Sequence, residues 1–465
     1  MNYVFLIALG IYLLIFLIIS LLDMKGIKTF TDYAVAGRVQ GSFAVTMTLL
    51  ATVVGASTTI GICDTVYSIG FPGIWWLAFG AIGLILQSVF ISGKVRATEA
   101  DTLPDLAKIT VGRGAELIIA LIIVISWIGV IAGQLVAMNS LISFATGRSD
   151  TWLFVIVSAV VIIYTLIGGQ SSVVKTDKLQ FIIIIVSSVL CCAYLYLVKG
   201  DATGNVATNI ELLNDNYTTR NLLTQFFVIG GVYFLGPDII SRNFISRDEN
   251  TAKKSALIAG IGLFGFSLVI TLIGMWIRYN VTPDQLADSK ALMYIAGVLP
   301  KYISIPLIFG LLSAILSSTD TCIINASSIF VKDIMKRESV RDIRITVGVI
   351  GAIAIVLAVS GRGDIMSLLT GAYSVYTPGV IFPLLVAILS YRKNGVRPAL
   401  WISAVIVGGL FGIAGTYFGN LLAKLALPQM IIDNLTLIGM LLSLLLSLIS
   451  VKWSSQNKMS SEEEQ

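Results

Sequence analysis

The stretch Ala314-Ile315-Leu316-Ser317-Ser318-Thr319-Asp320-Thr321 lies inside an apolar run long enough to cross a bilayer. It nevertheless packs four hydroxyl residues and a carboxylate into eight positions. On a helix, Ala314, Ser317, Ser318, Thr321 and Asn325 fall at i, i+3, i+4, i+7 and i+11, and so share one face. Oxygen atoms gathered at membrane depth can replace the water shell of a bare alkali cation. The pattern implies an ion-coupled transporter rather than an enzyme.

The rest of the chain fits that setting. Its 465 residues are 56% hydrophobic and 12% charged, with a mean hydropathy of +0.92. Soluble proteins carry roughly 25% charged residues. The deficit and the repeated apolar runs imply an all-α polytopic membrane protein. Thirteen spans are expected, at about 2–22, 42–63, 70–92, 116–141, 151–168, 179–198, 221–240, 255–278, 302–331, 344–360, 365–390, 398–418 and 434–451. No Lys or Arg precedes the run from Tyr3 to Leu22 and no small-residue cleavage site follows it, so it is expected to be a retained span and not a secretory signal.

Charge sets the expected orientation. With the N-terminus outside and the C-terminus inside, 23 of the 31 Lys and Arg side chains fall on inside loops and 8 on outside loops. This is the bias of the positive-inside rule, and one span more or fewer would spoil it. Arg242 counts here as a cation of the inside loop that also holds Arg247, Lys253 and Lys254. These loops account for the net charge of +5, which therefore implies no nucleic-acid partner. Cys63, Cys191, Cys192 and Cys322 lie in or beside spans without metal-ligand spacing, and the chain has no histidine. Zinc, haem and Cys/His catalysis are disfavoured. The tail Ser460-Ser461-Glu462-Glu463-Glu464 reads as a short disordered end. No soluble domain and no obligatory protein partner are evident.

Two spans carry breaks. The second reads Leu50-Ala51-Thr52-Val53-Val54-Gly55-Ala56-Ser57-Thr58-Thr59, small and hydroxyl-rich around Gly55. The seventh runs from Phe226 to Asp238 with Gly230-Gly231 in its middle. Breaks are tolerated at membrane depth only where they line a cavity. The two spans lie five apart, so a five-span unit repeated once would be inverted the second time, with a transport site at the midplane. The expected organisation is an extra helix and the start of the first inside loop at 1–30, a first repeat at 31–200, and an inverted second repeat at 201–395. Two C-terminal helices follow at 396–453, then the tail at 454–465. Close helix packing is the plain alternative for any one of these glycines.

Several segments together resemble the sodium/solute symporter family, over about residues 30 to 395. Asp32-Tyr33-Ala34-Val35-Ala36-Gly37-Arg38 is similar to the family's lead-in to its first core helix. Leu103-Pro104-Asp105-Leu106 with Gly112-Arg113 resembles its short cytoplasmic helix. Tyr164-Thr165-Leu166-Ile167-Gly168-Gly169 with Thr176-Asp177-Lys178-Leu179-Gln180 resembles its Tyr-Thr…Gly-Gly…Thr-Asp-x-x-Gln signature, and Ala314 through Asp320 its sodium-site helix. The resemblance implies a leucine-transporter-type 5+5 inverted repeat in the cell membrane, with sodium as the coupling ion and no organic cofactor. It places sodium on the carbonyls of Ala51, Val54 and Ala314 and the hydroxyls of Ser317 and Ser318. Some members resemble a second sodium site, which here would use Asp177, Ser317, Asp320 and Thr321. Asp177 also reads as an interfacial residue between Lys175 and Lys178, and its expected place is on the ion's exit path rather than in a stably occupied site. An Asp at membrane depth costs about 2.5–3.5 kcal/mol on insertion scales, so it has a partner or a task.

The seventh span bears on the solute. Tyr233-Phe234-Leu235-Gly236-Pro237-Asp238-Ile239-Ile240-Ser241-Arg242 is similar to the run Gly-Tyr-Phe-Gly-Gln-Pro-His-Ile…Arg of the proline and pantothenate branch, with Gly236 for Gln and Asp238 for His. It does not resemble the sugar branch. The expected pocket is Val53, Gly55, Thr58, Trp75, Gln134, Ile229, Val232 and Tyr233, apolar with a few polar anchors. A half-helix N-terminus can hold a carboxylate through backbone N–H groups without an intramembrane Arg. An amino acid or small carboxylate is therefore the expected solute. Val53 stands where proline transporters have an Asp, which counts against proline itself. Sodium entering from outside would fix the broken span and complete this pocket. The loaded core would then rock and release the ion past Asp177, with Tyr233 or Trp75 as a thin gate. The alternatives are a proton-coupled carrier of the same fold, against which the missing histidine speaks, and a sodium-coupled importer of a sugar, polyol or vitamin. A membrane enzyme lacks a catalytic cluster here, and a sensor lacks an appended signalling domain.

Overall fold

The computed structural model describes residues 2–200, 210–287, 289–361, 364–424 and 428–452. The expected tail at 454–465 lies outside them, as does Arg362 among the outside cations. Every regular element among the described residues is a helix, as hydrocarbon requires, since a helix satisfies its own backbone amides. The principal helices are α1 (Asn2–Met24), α2 (Ser42–Val53), α3 (Ile62–Ile69), α4 (Trp75–Phe90), α5 (Arg113–Thr146), α6 (Thr151–Tyr194), α7 (Thr219–Leu235) and α8 (Pro237–Ile245). They continue as α9 (Glu249–Asn280), α10 (Lys301–Ile329), α11 (Val340–Val359), α12 (Ile365–Tyr376), α13 (Phe382–Ser390), α14 (Pro398–Tyr417) and α15 (Leu435–Ser450). Shorter helices are named by their ranges.

By length and composition, 10 of the described helices can cross a membrane, or 11 when the bent pair Ser42–Val53 and Ser57–Ile69 counts as one span. Thirteen were expected, and two elements make the difference. α6 runs through both the fifth and the sixth expected spans, with a kink at Gly169 (φ 57°, ψ −162°) in place of a loop. α15 has 16 residues, short of a full crossing.

The kink at Gly169 is built from two parts of the sequence. Its backbone lies in a region essentially reserved for glycine, and a Cβ there would meet the Tyr33 ring at 2.9 Å. The Thr165 and Leu166 carbonyls, which would bond the amides of 169 and 170 in an unbroken helix, instead accept the Tyr33 hydroxyl at 3.2 and 3.1 Å. Tyr33 is carried by the helix Phe30–Val35, whose N-cap Thr29 forms a capping box with Asp32. Those cap bonds hold the exposed Asp32 carboxyl below its usual pKa.

α10 is the centre of the bundle. It packs on α5, α6 and α11, and 94% of its most apolar stretch is buried. α2 lies on α6, α9 and α10. It stops at Val53, where Val54 turns out of helical geometry (φ −95°, ψ 85°). The chain resumes in a single π turn, Ser57–Gly61, that leads into α3 at 62° to α2.

The second break differs from the expectation. α7 passes through Gly230 and Gly231 without interruption, and it ends at Gly236, whose ψ of 144° is extended. Pro237 then opens α8, because its ring suits a first helical position and its missing N–H ends the ladder of α7. Gly230 and Gly231 are packing residues. A Cβ on Gly83 of α4 would come within 2.5 Å of the Gly230 carbonyl, and one on Gly231 within 3.1 Å of Thr377.

Candidate functional site

The hydroxyl face of α10 meets the frayed end of α2. Ser317 Oγ donates to the Ala51 carbonyl at 2.8 Å and lies 3.1 Å from the Ala314 carbonyl. Ser318 Oγ donates to the Thr52 carbonyl at 2.9 Å. Ala51, Val54, Ala314 and Ser317 are wholly buried, and Ser318 nearly so. The carbonyls are free for these contacts because the turn after Val53 removes the amides that would take them. Gly55 is needed at the junction, since a Cβ there would lie 2.5 Å from Ser318 Oγ and 3.1 Å from Gln134 Nε2. The amides at the break have side-chain partners: Gly55 N–H donates to Thr58 Oγ1 at 2.7 Å and Ala56 N–H to Gln134 Oε1 at 3.1 Å. The oxygens that converge here are neutral, which suits a hard alkali cation that must also leave.

Beside this junction lies a core cavity of about 30 Å³, room for about one or two waters. Known small-ligand sites run to about 300–1,000 Å³, so the cavity must widen before it can take a solute. Val53, Gly55, Gln134, Val232 and Tyr233 line it, joined by Ser318. Thr58 supports the turn through the Gly55 amide and carbonyl instead of lining the cavity. Ile229 lines a second, larger cavity of about 330 Å³ with Trp76, Arg220, Thr370 and Ser374. Val228 and Ile229 stand one turn before Val232 and Tyr233 on α7, so the larger cavity stacks on the smaller. At its rim Arg220 pairs with Asp433 at 3.2 Å. Trp75 faces neither cavity. It stacks on Phe79 with ring centroids 5.0 Å apart and donates to the Leu212 carbonyl at 2.9 Å.

Sequence reasoning missed several members of the core cavity, among them Ser57, Val130, Cys322, Leu369 and Tyr373. Asp238 also lines it. Its place on the run after Tyr233 was visible, but the expected break at Gly230-Gly231 directed attention one turn too early.

The largest departure is Arg242. It is not a loop cation but a wholly buried one. One of its terminal nitrogens reaches Thr321 Oγ1 at 2.5 Å, Thr52 Oγ1 at 2.6 Å and Asp177 Oδ2 at 3.3 Å. The other reaches Ser241 Oγ at 3.1 Å. Asp177 is wholly buried as well, and also accepts from the Thr48 hydroxyl. It is not an interfacial residue between Lys175 and Lys178. Asp320 sits apart from this nest, held by Tyr164 OH at 2.8 Å and Thr165 Oγ1 at 2.7 Å. Of the three residues Asp177, Asp320 and Thr321, the guanidinium brings together the first and the last.

A helix broken against a hydroxyl-bearing partner, with a second interrupted helix in the following half of the chain, defines a secondary transporter with a leucine-transporter-type fold. The comparisons with known proteins agree. The sodium:solute symporter family matches residues 33–408. The sodium/proline symporter of Staphylococcus aureus is 24% identical over 440 residues, 87% of this chain and 84% of that one. The high-affinity choline transporter 1 of Drosophila melanogaster is 24% identical over 404 residues, 78% of this chain and 62% of that one. The structure of a substrate-bound, outward-open sodium-coupled sialic acid symporter shares the fold, with a TM-score of 0.79 at 18% identity over 96% of this chain and 97% of the other. The chain belongs to the sodium:solute symporter family, multi-pass membrane carriers that couple solute import to sodium.

Proposed function

We propose that this carrier imports an amino acid or small carboxylate together with sodium bound where α2 breaks against α10. The ion would take the carbonyls of Ala51, Val54 and Ala314 and the hydroxyls of Ser317 and Ser318. The observation that carries this assignment is the reach of both serine hydroxyls onto the carbonyls of Ala51 and Thr52. A cation entering there replaces those hydrogen bonds with ion–oxygen contacts and holds the broken helix in one shape.

The solute would occupy the core cavity, walled by Val53, Gly55, Gln134, Val232 and Tyr233, once the layer of Ile229, Val232 and Tyr233 parts toward the larger cavity. That larger cavity is the outer vestibule in an N-out, C-in orientation. The loaded core of the two repeats, 31–200 and 201–395, then rocks and opens the inner path. Sodium leaves past Asp177, where Arg242 bridges Thr52, Thr321 and Asp177 and bars the way until it swings aside. One charge carried inward gains about 2.3 kcal/mol per 100 mV, to which the sodium gradient adds. No organic cofactor, catalytic step, nucleic acid or obligatory protein partner enters this scheme.

Uptake into proteoliposomes at varied sodium tests it. Replacing Ser317 and Ser318 together by Ala is expected to raise the sodium concentration for half-maximal uptake at least tenfold, about 1.4 kcal/mol. Unchanged sodium dependence in the double variant refutes the site. Equal uptake with sodium replaced by a proton gradient favours the proton-coupled alternative.

A further inference from the structure

One charged side chain lines the core cavity, and it is Asp238. Its Oδ1 is sealed from solvent and has no hydrogen-bond partner. The nearest cation on its own helix, Arg242, stands one turn further along and turns its terminal nitrogens to Thr52, Thr321, Asp177 and Ser241. The carboxyl's other neighbours are the Trp127 indole, its own amide in the first turn of α8 and the charge of Arg242, with which it makes no ion pair. An oxygen left unbonded at this depth is costly unless something else supplies the positive end.

The aromatic lining suits such a group. Tyr233 and Tyr373 line the same cavity. Trp127 packs behind Tyr373, with centroids 6.3 Å apart, and edge-on to Tyr376 at 5.1 Å. Aromatic rings in the same cavity as a carboxylate favour a cationic nitrogen, through the ring quadrupole as well as the charge. Nothing comparable awaits an anion. No Lys or Arg lines the cavity, and the Gly55 and Ala56 amides are engaged by Thr58 and Gln134.

We propose that Asp238 anchors a positively charged nitrogen of the transported solute. The substrate class is then amino acids and other ammonium compounds, including N-alkylated ones, and excludes nitrogen-free carboxylates and neutral polyols. The inference rests on the core cavity being the solute site. Ser318 lines that cavity while facing the Thr52 carbonyl, so a zwitterion lies with its carboxylate toward the sodium side and its ammonium toward Asp238. Sodium, the Asp238 carboxylate and a zwitterion together leave the loaded site neutral, which lowers the cost of carrying it across hydrocarbon.

Matched pairs that differ only in the charged nitrogen test this. They are glycine betaine against 3,3-dimethylbutyrate, L-proline against cyclopentanecarboxylate, and choline against 3,3-dimethylbutanol. Binding to the purified full chain is read as a thermal shift in sodium chloride and in potassium chloride. The expected result is that at least one ammonium member binds in sodium and its carbon isostere binds more than about tenfold weaker. Asp238→Asn is expected to abolish that preference. Asp238→Glu, which keeps the charge, is expected to retain it at reduced affinity, and a symmetric size-exclusion profile for both shows that they fold. Equal binding of isosteres, binding of no ammonium compound, or an undiminished preference in Asp238→Asn overturns the proposal. A wild-type chain that sodium alone does not stabilise counts against the sodium site, whereas a sodium response without nitrogen preference counts only against Asp238.

Discussion

At Gly55 an added methyl group would collide with Ser318 Oγ at 2.5 Å, an atom already bound to the Thr52 carbonyl. Gly55→Ala therefore trades that bond for a displaced hydroxyl. The lost hydrogen bond, about 0.5–1.5 kcal/mol, predicts a rise of up to about tenfold in half-saturating sodium, with solute affinity at saturating sodium changed less. Uptake measured across sodium and solute concentrations separates the two. Arg242 and Asp177 support a different prediction. Removing one partner of a buried ion pair leaves the other charge uncompensated and costs about 3–5 kcal/mol. Arg242→Ala is expected to lower the melting temperature sharply, and Arg242→Ala with Asp177→Asn to recover part of the loss. Equal melting of the single and double variants would show that the pair is not coupled. The serines were legible in the sequence because helical spacing puts them on one face. Arg242 was not, because a Lys- and Arg-rich stretch near the end of a span reads as a loop until the partner, 65 positions away, is seen to meet it.

Among the elements, both interrupted helices were expected, but only the first in its place. Gly55 sits among small and hydroxyl residues, which weaken a helix on either side. Gly230-Gly231 sits among Phe226, Phe227, Val232 and Tyr233, whose packing keeps the helix intact, and the interruption moves to Gly236-Pro237, where a missing N–H forces it. A glycine pair signals close approach or a break equally well, and the neighbouring elements decide which. Gly169 shows the reverse case, a true kink recognised in the sequence only as part of a family signature. Its dihedrals and the Tyr33 ring at 2.9 Å predict that Gly169→Ala loses about 1–3 kcal/mol. Tyr33→Phe, which removes only the hydroxyl on the Thr165 and Leu166 carbonyls, is expected to cost less, about 1 kcal/mol. Thermal unfolding of the two variants in one detergent ranks them, and a smaller loss at Gly169 contradicts the account of the kink.

For the whole molecule, the all-α membrane class was readable from hydropathy and the inverted-repeat fold from the family resemblance, whereas orientation follows from charge alone and needs its own measurement. Moving Arg242 from loop to core takes one cation from the inside sum and leaves the bias intact, because cations such as Lys254, near the start of α9, and Lys393, in the loop after α13, are exposed on the expected inside. Lys199 and Lys424 are exposed on the expected outside. Single cysteines at these four positions, in a background where the half-buried Cys192 is replaced, provide the test. In intact cells a membrane-impermeant maleimide is expected to label Lys199→Cys and Lys424→Cys directly, and Lys254→Cys and Lys393→Cys only after permeabilisation. Sodium coupling fixes the electrical sign of transport in either orientation. With the N-terminus outside, sodium would enter by the cavity lined by Trp76 and Arg220 and leave past the Arg242–Asp177 pair, down an inside-negative potential. An imposed inside-negative potential should then accelerate uptake. The reverse labelling pattern would turn the vestibule inward and make Asp177 the ion's way in, while an inside-negative potential would still accelerate uptake, because a cation enters in either orientation.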